Sequence, residues 1–275
     1  VELSGRLLDR ITLEYPVKTL ADIDRIASVP WELPSDLAPP TDARPADFAS
    51  RGILETRISS PFVCVAGMMT YEWFLELTMT ESQLIEDLTE ICRQRIEDVL
   101  DVLFSEPGIE YLWIGGSEWV TPPMASPRTY DGLVQEQEAS VIRHARDLAA
   151  AIDQELVVHV HCHGHVRHAL LRTIERGADY TEPVEPPPDG DITMAEAKAL
   201  AAGRITLGGN IECRILCNGT SADVEAALVA AYAGGTRRFV LRPTESPSPV
   251  MTEQEATNWA QMITGWQERE VGANS

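Results

Sequence analysis

The sequence predicts an α/β fold, a (β/α)8 barrel, and three observations carry that expectation. Short apolar runs alternate with amphipathic stretches of helical period along most of the 275 residues, the pattern of parallel βαβ units. Polar and turn-forming residues cluster directly after each apolar run. Those post-strand loops also hold nearly all of the chemically active side chains. In a barrel the loops at the C-terminal ends of the strands converge on one mouth. An open doubly wound sheet would not gather all of them, which favours the barrel.

The elements follow in order. The first fifty residues are broken by Pro16, Pro30, Pro34, Pro39, Pro40 and Pro45. Each proline fixes φ and removes a backbone donor, so this part reads as irregular, with one short helix over Leu20–Ser28. "RISSPFVCVAG" reads as the first strand, ending at Gly67. A long helix is expected over Glu81–Leu103, where Leu84, Ile85, Leu88, Ile91, Ile96, Val99 and Leu100 recur at helical spacing. "IEYLWIGG" is the second strand, followed by a helix over Tyr130–Ile152. "ELVVHVH" is the third, with a helix over Val166–Arg176. "ADYTEPVE" is the fourth, with a helix over Thr193–Ala202. "RITLGGN" is the fifth, with a helix over Ser221–Ala233, and "RRFVLRP" is the sixth, with a helix over Thr252–Trp266. Thr80 and Ser221 stand where N-caps belong. Six units are visible. The remaining two of a closed barrel lie in the irregular first part or upstream of Val1, and residues 1–275 read as a single barrel domain.

Composition limits the function. A hydrophobic fraction of 44% supports a sizeable core. The balance of 43 carboxylates against 22 Lys plus Arg, net −21, repels nucleic acid and anionic membranes. It also repels a polyanionic substrate unless the site supplies local arginines. No apolar stretch has bilayer length, and the start carries no signal-peptide pattern. Five cysteines without paired spacing, Cys64, Cys92, Cys162, Cys213 and Cys217, fit a reducing cytoplasm. The expectation is a cytoplasmic protein acting on a small molecule, with neither nucleic acid nor membrane as partner.

"HVHCHGHVRH", residues 159–168, holds five of the six histidines. Alternate residues of a strand share a face, so His159, His161 and His163 point one way and Cys162 the other. His161 and His163 lie nearest the mouth, and two imidazoles so spaced reach one ion. No histidine follows His168, so a third metal ligand would come from Glu118, Glu185, Glu212, Cys213 or Glu245. The same imidazoles equally suit direct contact with a substrate's carboxylate or hydroxyls, or bracing of their neighbours.

The six loops would gather Tyr71, Glu72, Glu118, His161, His163, Glu185, Asp189, Asn210, Glu212 and Glu245. Glu118 is the best general acid/base candidate, because it follows two glycines and adjoins Trp119, whose ring would desolvate it. Asn210, in a "GGN" turn, orients a ligand or caps the turn. Glu185 and Asp189 belong to the rigid acidic loop "EPPPDGD", catalytic or merely solvated. Arg242 offers a cation for a carboxylate or pairs with Glu245. Tyr71, Glu185, Asn210 and Arg242 are the substrate-binding candidates.

The run "HCHGHVRHALLRTIERGADYTEPVEPPPDGDITMAEAKALAAGRITLGGNIE", continued by "GTSADVEAAL", resembles the uroporphyrinogen decarboxylase superfamily. "YPVKTLADIDR" resembles the family's lead-in segment, and "GGSEWVTPPMASPRTYDGLV" resembles its "SP…F" loop. The resemblance implies a (β/α)8 barrel, a dimer, and one of two chemistries. One is cofactor-free decarboxylation. The other is zinc-dependent methyl transfer between a methylated donor, a thiol or folate, and a corrinoid protein. The strand-end motif resembles the methyltransferases, with His163 where they carry Cys and Thr244-Glu245 near their later Cys. The resemblance thus implies zinc on His161 and His163, with Glu212 or Glu245 completing the shell, and a corrinoid carried by a partner protein. Such a His/His/carboxylate site is harder than a thiolate one. The expected activity is metal-assisted methyl transfer or demethylation, with Glu118, His161 and His163 in catalysis. The alternatives are a cofactor-free decarboxylase using a histidine as proton donor, and a non-catalytic small-molecule binder.

Overall fold

The computed structural model describes residues 2–3, 10–11, 14–39, 47–247 and 250–273. Pro40 and Pro45 lie outside the described residues. The chain divides into two compact units, one formed by Val1–Val160 with Glu175–Ala178, the other by His161–Ile174 with Asp179–Ser275.

The first unit opens with β1 (Glu2–Leu3) and β2 (Arg10–Ile11), an antiparallel pair. Helix α1 (Leu20–Ser28) has the bounds expected from sequence, and a capping box of Thr19 and Asp22 starts it. Next come β3 (Glu55–Ser59), α2 (Pro61–Ala66), α3 (Tyr71–Thr80) and α4 (Ser82–Leu103). Then follow β4 (Tyr111–Gly115), α5 (Pro127–Tyr130), a π turn over Asp131–Gln135, α6 (Glu136–Ala151) and β5 (Val157–His161). Strands β3 and β4 run parallel, in register from Glu55 opposite Tyr111 to Ser59 opposite Gly115.

The first strand stops at Ser59 rather than Gly67. Pro61 occupies the first turn of α2, where its missing N–H is no loss, and Phe62, Val65 and Ala66 are buried. An unbroken apolar run does not distinguish strand from buried helix by period, and the proline decides it here. Thr80 closes α3 instead of capping α4, its hydroxyl donating to the Glu76 carbonyl at 3.0 Å. The core holds Phe62, Phe74, Ile85, Leu100, Leu112 and Ile114, all fully buried. Within it Arg176 Nη2 pairs with Glu138 Oε2 at 3.1 Å. Both Nη atoms of Arg176 also lie 3.1 Å from the Tyr130 hydroxyl.

The second unit carries α7 (Arg167–Glu175), β6 (Tyr180–Glu182), α8 (Met194–Ala201), β7 (Thr206–Ile211) and α9 (Cys213–Asn218). It ends with α10 (Ser221–Tyr232), β8 (Phe239–Pro243) and α11 (Glu253–Ala273). Strands β6, β7 and β8 are parallel, with Tyr180 opposite Thr206 and Asn210 opposite Arg242. Capping boxes start α8 (Thr193, Glu196) and α10 (Thr220, Asp223), so the α10 cap is Thr220 and not Ser221. Helix α9 has no counterpart in the sequence reading, because a six-residue segment shows no period. Asn258, fully buried on α11, donates to the carbonyls of Leu216 (3.0 Å) and Gly219 (2.9 Å) and so closes the end of α9. Ile211, Leu216, Val224, Leu228 and Met262 pack together in one buried apolar cluster of this unit.

Strands β3 to β8 form a six-stranded sheet in chain order with helices between them, an α/β fold. Among the described residues no helix is long and apolar enough to cross a membrane.

Candidate functional site

The second unit begins where β5 ends. His161 Nδ1 meets Glu182 Oε1, at the end of β6, at 2.8 Å. Glu182 is buried, and its other oxygen forms an ion pair with Arg242 Nη1, on β8, at 2.9 Å. The chain then turns at Gly164, whose φ of 80° suits glycine. His163 Nδ1 lies 3.2 Å from Glu185 Oε1, and the Gly164 N–H donates to the other Glu185 oxygen. His163 Nε2 lies 3.8 Å from Glu245 Oε1. The two imidazoles stand edge to face, with centroids 4.6 Å apart. Each ring is therefore oriented through Nδ1 by a carboxylate on β6 or just beyond it.

Two glycines make room for this. A Cβ at Gly208 on β7 would lie 2.1 Å from the Tyr180 hydroxyl and 2.6 Å from Glu182 Cβ. One at Gly190 would lie 1.9 Å from the Glu185 carbonyl oxygen. The glycines of "GGN" and "PDG" thus permit the close approach of the residues that hold the imidazoles. Burial pushes the Tyr180 phenol up to about 12, helped by the Glu182 charge and opposed by Arg242. Burial also pushes the Glu185 carboxyl up. Hydrogen bonds from His163 and the Gly164 N–H, with charge on His163 and His161, outweigh burial and hold it below its ordinary value.

The other expected residues take these places. Asn210 is buried on β7, in register with Arg242. Glu245 is exposed and faces His163. Glu212 is buried at the start of α9 and bound by Arg214, with Nη2 at 2.6 Å, and Arg214 Nε lies 3.3 Å from Asp189. Burial raises the Glu212 carboxyl in spite of Arg214. His159, His161 and Glu182 make up a His–His–Glu group of the kind that can hold a metal ion.

In the first unit, Glu118 lies in a short 3-10 turn, Ser117–Val120, that follows Gly116. The Tyr71 hydroxyl donates to the Trp119 carbonyl, and the two rings meet edge to face at 5.5 Å. Burial raises the Tyr71 phenol. His159 meets the rings of Tyr111 and Trp113 edge-on, at 5.7 and 6.2 Å.

Sequence reasoning did not single out Glu182 or Tyr180. Strand counting would have found Glu182, since His161 and Glu182 are the last residues of consecutive strands.

No family model matches the chain, and no curated protein matches it. Solved structures do match. One is a methyltransferase from Methanosarcina mazei, with a TM-score of 0.61 and 17% identity, aligned over 81% of this chain and 61% of that one. The chain thus spans about three fifths of that structure's length, and the likeness is one of fold.

Proposed function

We propose that the chain is a metal-assisted methyl-transfer enzyme on a (β/α)8 barrel of the uroporphyrinogen decarboxylase superfamily. The observation that carries this reading is the pair of carboxylate–imidazole contacts, His161 with Glu182 and His163 with Glu185. Metal-ligating histidines are held in this way, with a carboxylate on one ring nitrogen fixing the tautomer and raising the basicity of the other. The fold likeness to a methyltransferase supports the same reading.

His161 and His163, each with Nδ1 engaged by a carboxylate, are donors of the kind zinc accepts. They would hold it, with a carboxylate from Glu245 or Glu212. Bound zinc would lower the pKa of a thiol or hydroxyl presented to it. The chain's own residues do the rest. Glu182 orients His161, and Arg242 offsets the charge of the buried Glu182 carboxylate. Glu185 orients His163. Asn210 and Arg242 would bind the substrate. With a net charge of −21, the chain favours a small neutral or cationic methylated donor over a polyanion. The acceptor would be a thiol or a corrinoid on a partner protein.

Elemental analysis of untagged protein tests this, beside the double variant His161→Ala/His163→Ala. The variant is expected to lose about one zinc ion per chain relative to the parent. Equal zinc in both, or a parent that stays empty when zinc is offered, overturns the reading. Screening thiol and corrinoid acceptors for methyl transfer then follows.

A further inference from the structure

A cavity of about 350 Å3 is lined entirely by the first unit, with walls from the stretch after α1, the end of β3, α2 and α4. Pockets that take small molecules measure about 300–1,000 Å3, and this one falls near the lower end. Its lining is mostly apolar. Ile58 and Ile96 contribute to it, with the three sulfur side chains of Cys64, Cys92 and Met68. Trp31 supplies an aromatic wall. The indole stands in a proline-broken stretch and is 42% exposed, yet α4 fixes it at two points. Its Nε1 donates to Asp98 Oδ2 at 2.8 Å, and the Arg95 guanidinium lies 5.1 Å from its ring centroid. Among the described residues that line the cavity, Arg95 is the one basic side chain, and none is a carboxylate.

We infer that this cavity is a binding site for a small aromatic carboxylate. Three polarizable sulfur side chains and an indole favour an aromatic body over an aliphatic chain. The Arg95 guanidinium supplies the contact for the head group, with a fork of donors that matches a carboxylate. A net charge of −21 repels anions in general, so a cavity that holds a cation and no carboxylate is a local exception. The site uses none of the residues assigned to methyl transfer, so it stands or falls separately.

Calorimetric titration of the reduced protein with 2-naphthoate tests it, beside the uncharged isostere 2-naphthamide and the aliphatic octanoate. Naphthoate is expected to bind at one site per chain, about 10-fold tighter than the amide, the size of one hydrogen bond to a charged group. Octanoate should bind more weakly than naphthoate. In Arg95→Gln the naphthoate affinity should fall to that of the amide, and Arg95→Lys should keep a preference for the acid. Cys64 reports the place of binding, because its thiol lines the cavity. Its alkylation by iodoacetamide, followed by peptide mass spectrometry, should slow as naphthoate saturates the chain. This readout needs no variant, so it holds even where a substitution at Arg95 disturbs the fold. Naphthoate that does not bind, or binds no tighter than the amide or octanoate, overturns the inference. So does binding that leaves Cys64 alkylation unchanged, or a folded Arg95→Gln with the parent's affinity.

Discussion

Glu182 and His161 meet at 2.8 Å, carboxylate oxygen to Nδ1, at the ends of adjacent strands, and Glu182 is only 1% exposed. A carboxylate is rarely buried without partners. Here the imidazole and the Arg242 guanidinium take one oxygen each. Glu182→Gln keeps the shape and removes the charge that both neighbours require. Outer-sphere partners of this kind are worth about 10- to 100-fold in metal affinity. The variant should lose affinity within that range while His163 and Glu185 stay in contact. Competitive titration with a chelating zinc indicator measures it. Unchanged affinity would deny Glu182 its orienting role.

Gly208→Ala should damage the same site from beneath. The added methyl would meet the Tyr180 hydroxyl and Glu182 Cβ far inside contact distance. Overpacking of this kind costs about 1–3 kcal/mol. Gly132 is the control, because a Cβ there meets nothing within 4 Å. Chemical denaturation should show Gly208→Ala destabilised and Gly132→Ala unchanged or improved. Gly208→Ala should also lose zinc affinity, since it moves the carboxylate that holds His161.

Glu185 gives a pH signature. Its carboxyl lies below 4.5 in the folded chain, because His163 and the Gly164 N–H outweigh burial. The unfolded chain therefore binds more protons than the folded one between the folded value and 4.5, and stability rises with pH across that window. The contribution is complete above 4.5 and is lost as pH falls through the folded value. Glu185→Gln should flatten this acid limb in denaturation measured from pH 3 to 6, about the range where carboxylates titrate. A limb identical to that of the parent would show that the contact with His163 does not favour the charged form.

The strand-and-helix order was legible in the sequence because period and punctuation agreed. "RITLGGN" and "RRFVLRP" became β7 and β8, and "LADIDRIAS" became α1 to the residue. "PFVCVA" was not legible, since an apolar run of six fits a strand or a buried helix until Pro61 is weighed. The histidine cluster was legible as chemistry. Its carboxylate partners were only half so, because Glu185 stands in a conspicuous loop while Glu182 hides in a strand. Glu212 stood out only as a carboxylate in the loop after a strand, and nothing in one dimension showed that Arg214, two residues on, would fold back onto it.

The buried pair Arg176–Glu138 supplies a stability test outside the site. Both side chains are essentially inaccessible, at 0% and 1% exposure, and the guanidinium also meets the Tyr130 hydroxyl and stands 5.7 Å from its ring centroid. Removing one member leaves the other charge in a medium that cannot solvate it, at a cost of about 3–5 kcal/mol. Replacing both with apolar side chains of similar volume spares that penalty. Glu138→Ala and Arg176→Ala should each destabilise by about that amount, whereas Glu138→Leu/Arg176→Met should lose far less than their sum. A double-mutant cycle in urea reads the coupling directly. Additive losses would mean that the two residues act as independent packing groups and that the ion pair contributes nothing to the fold.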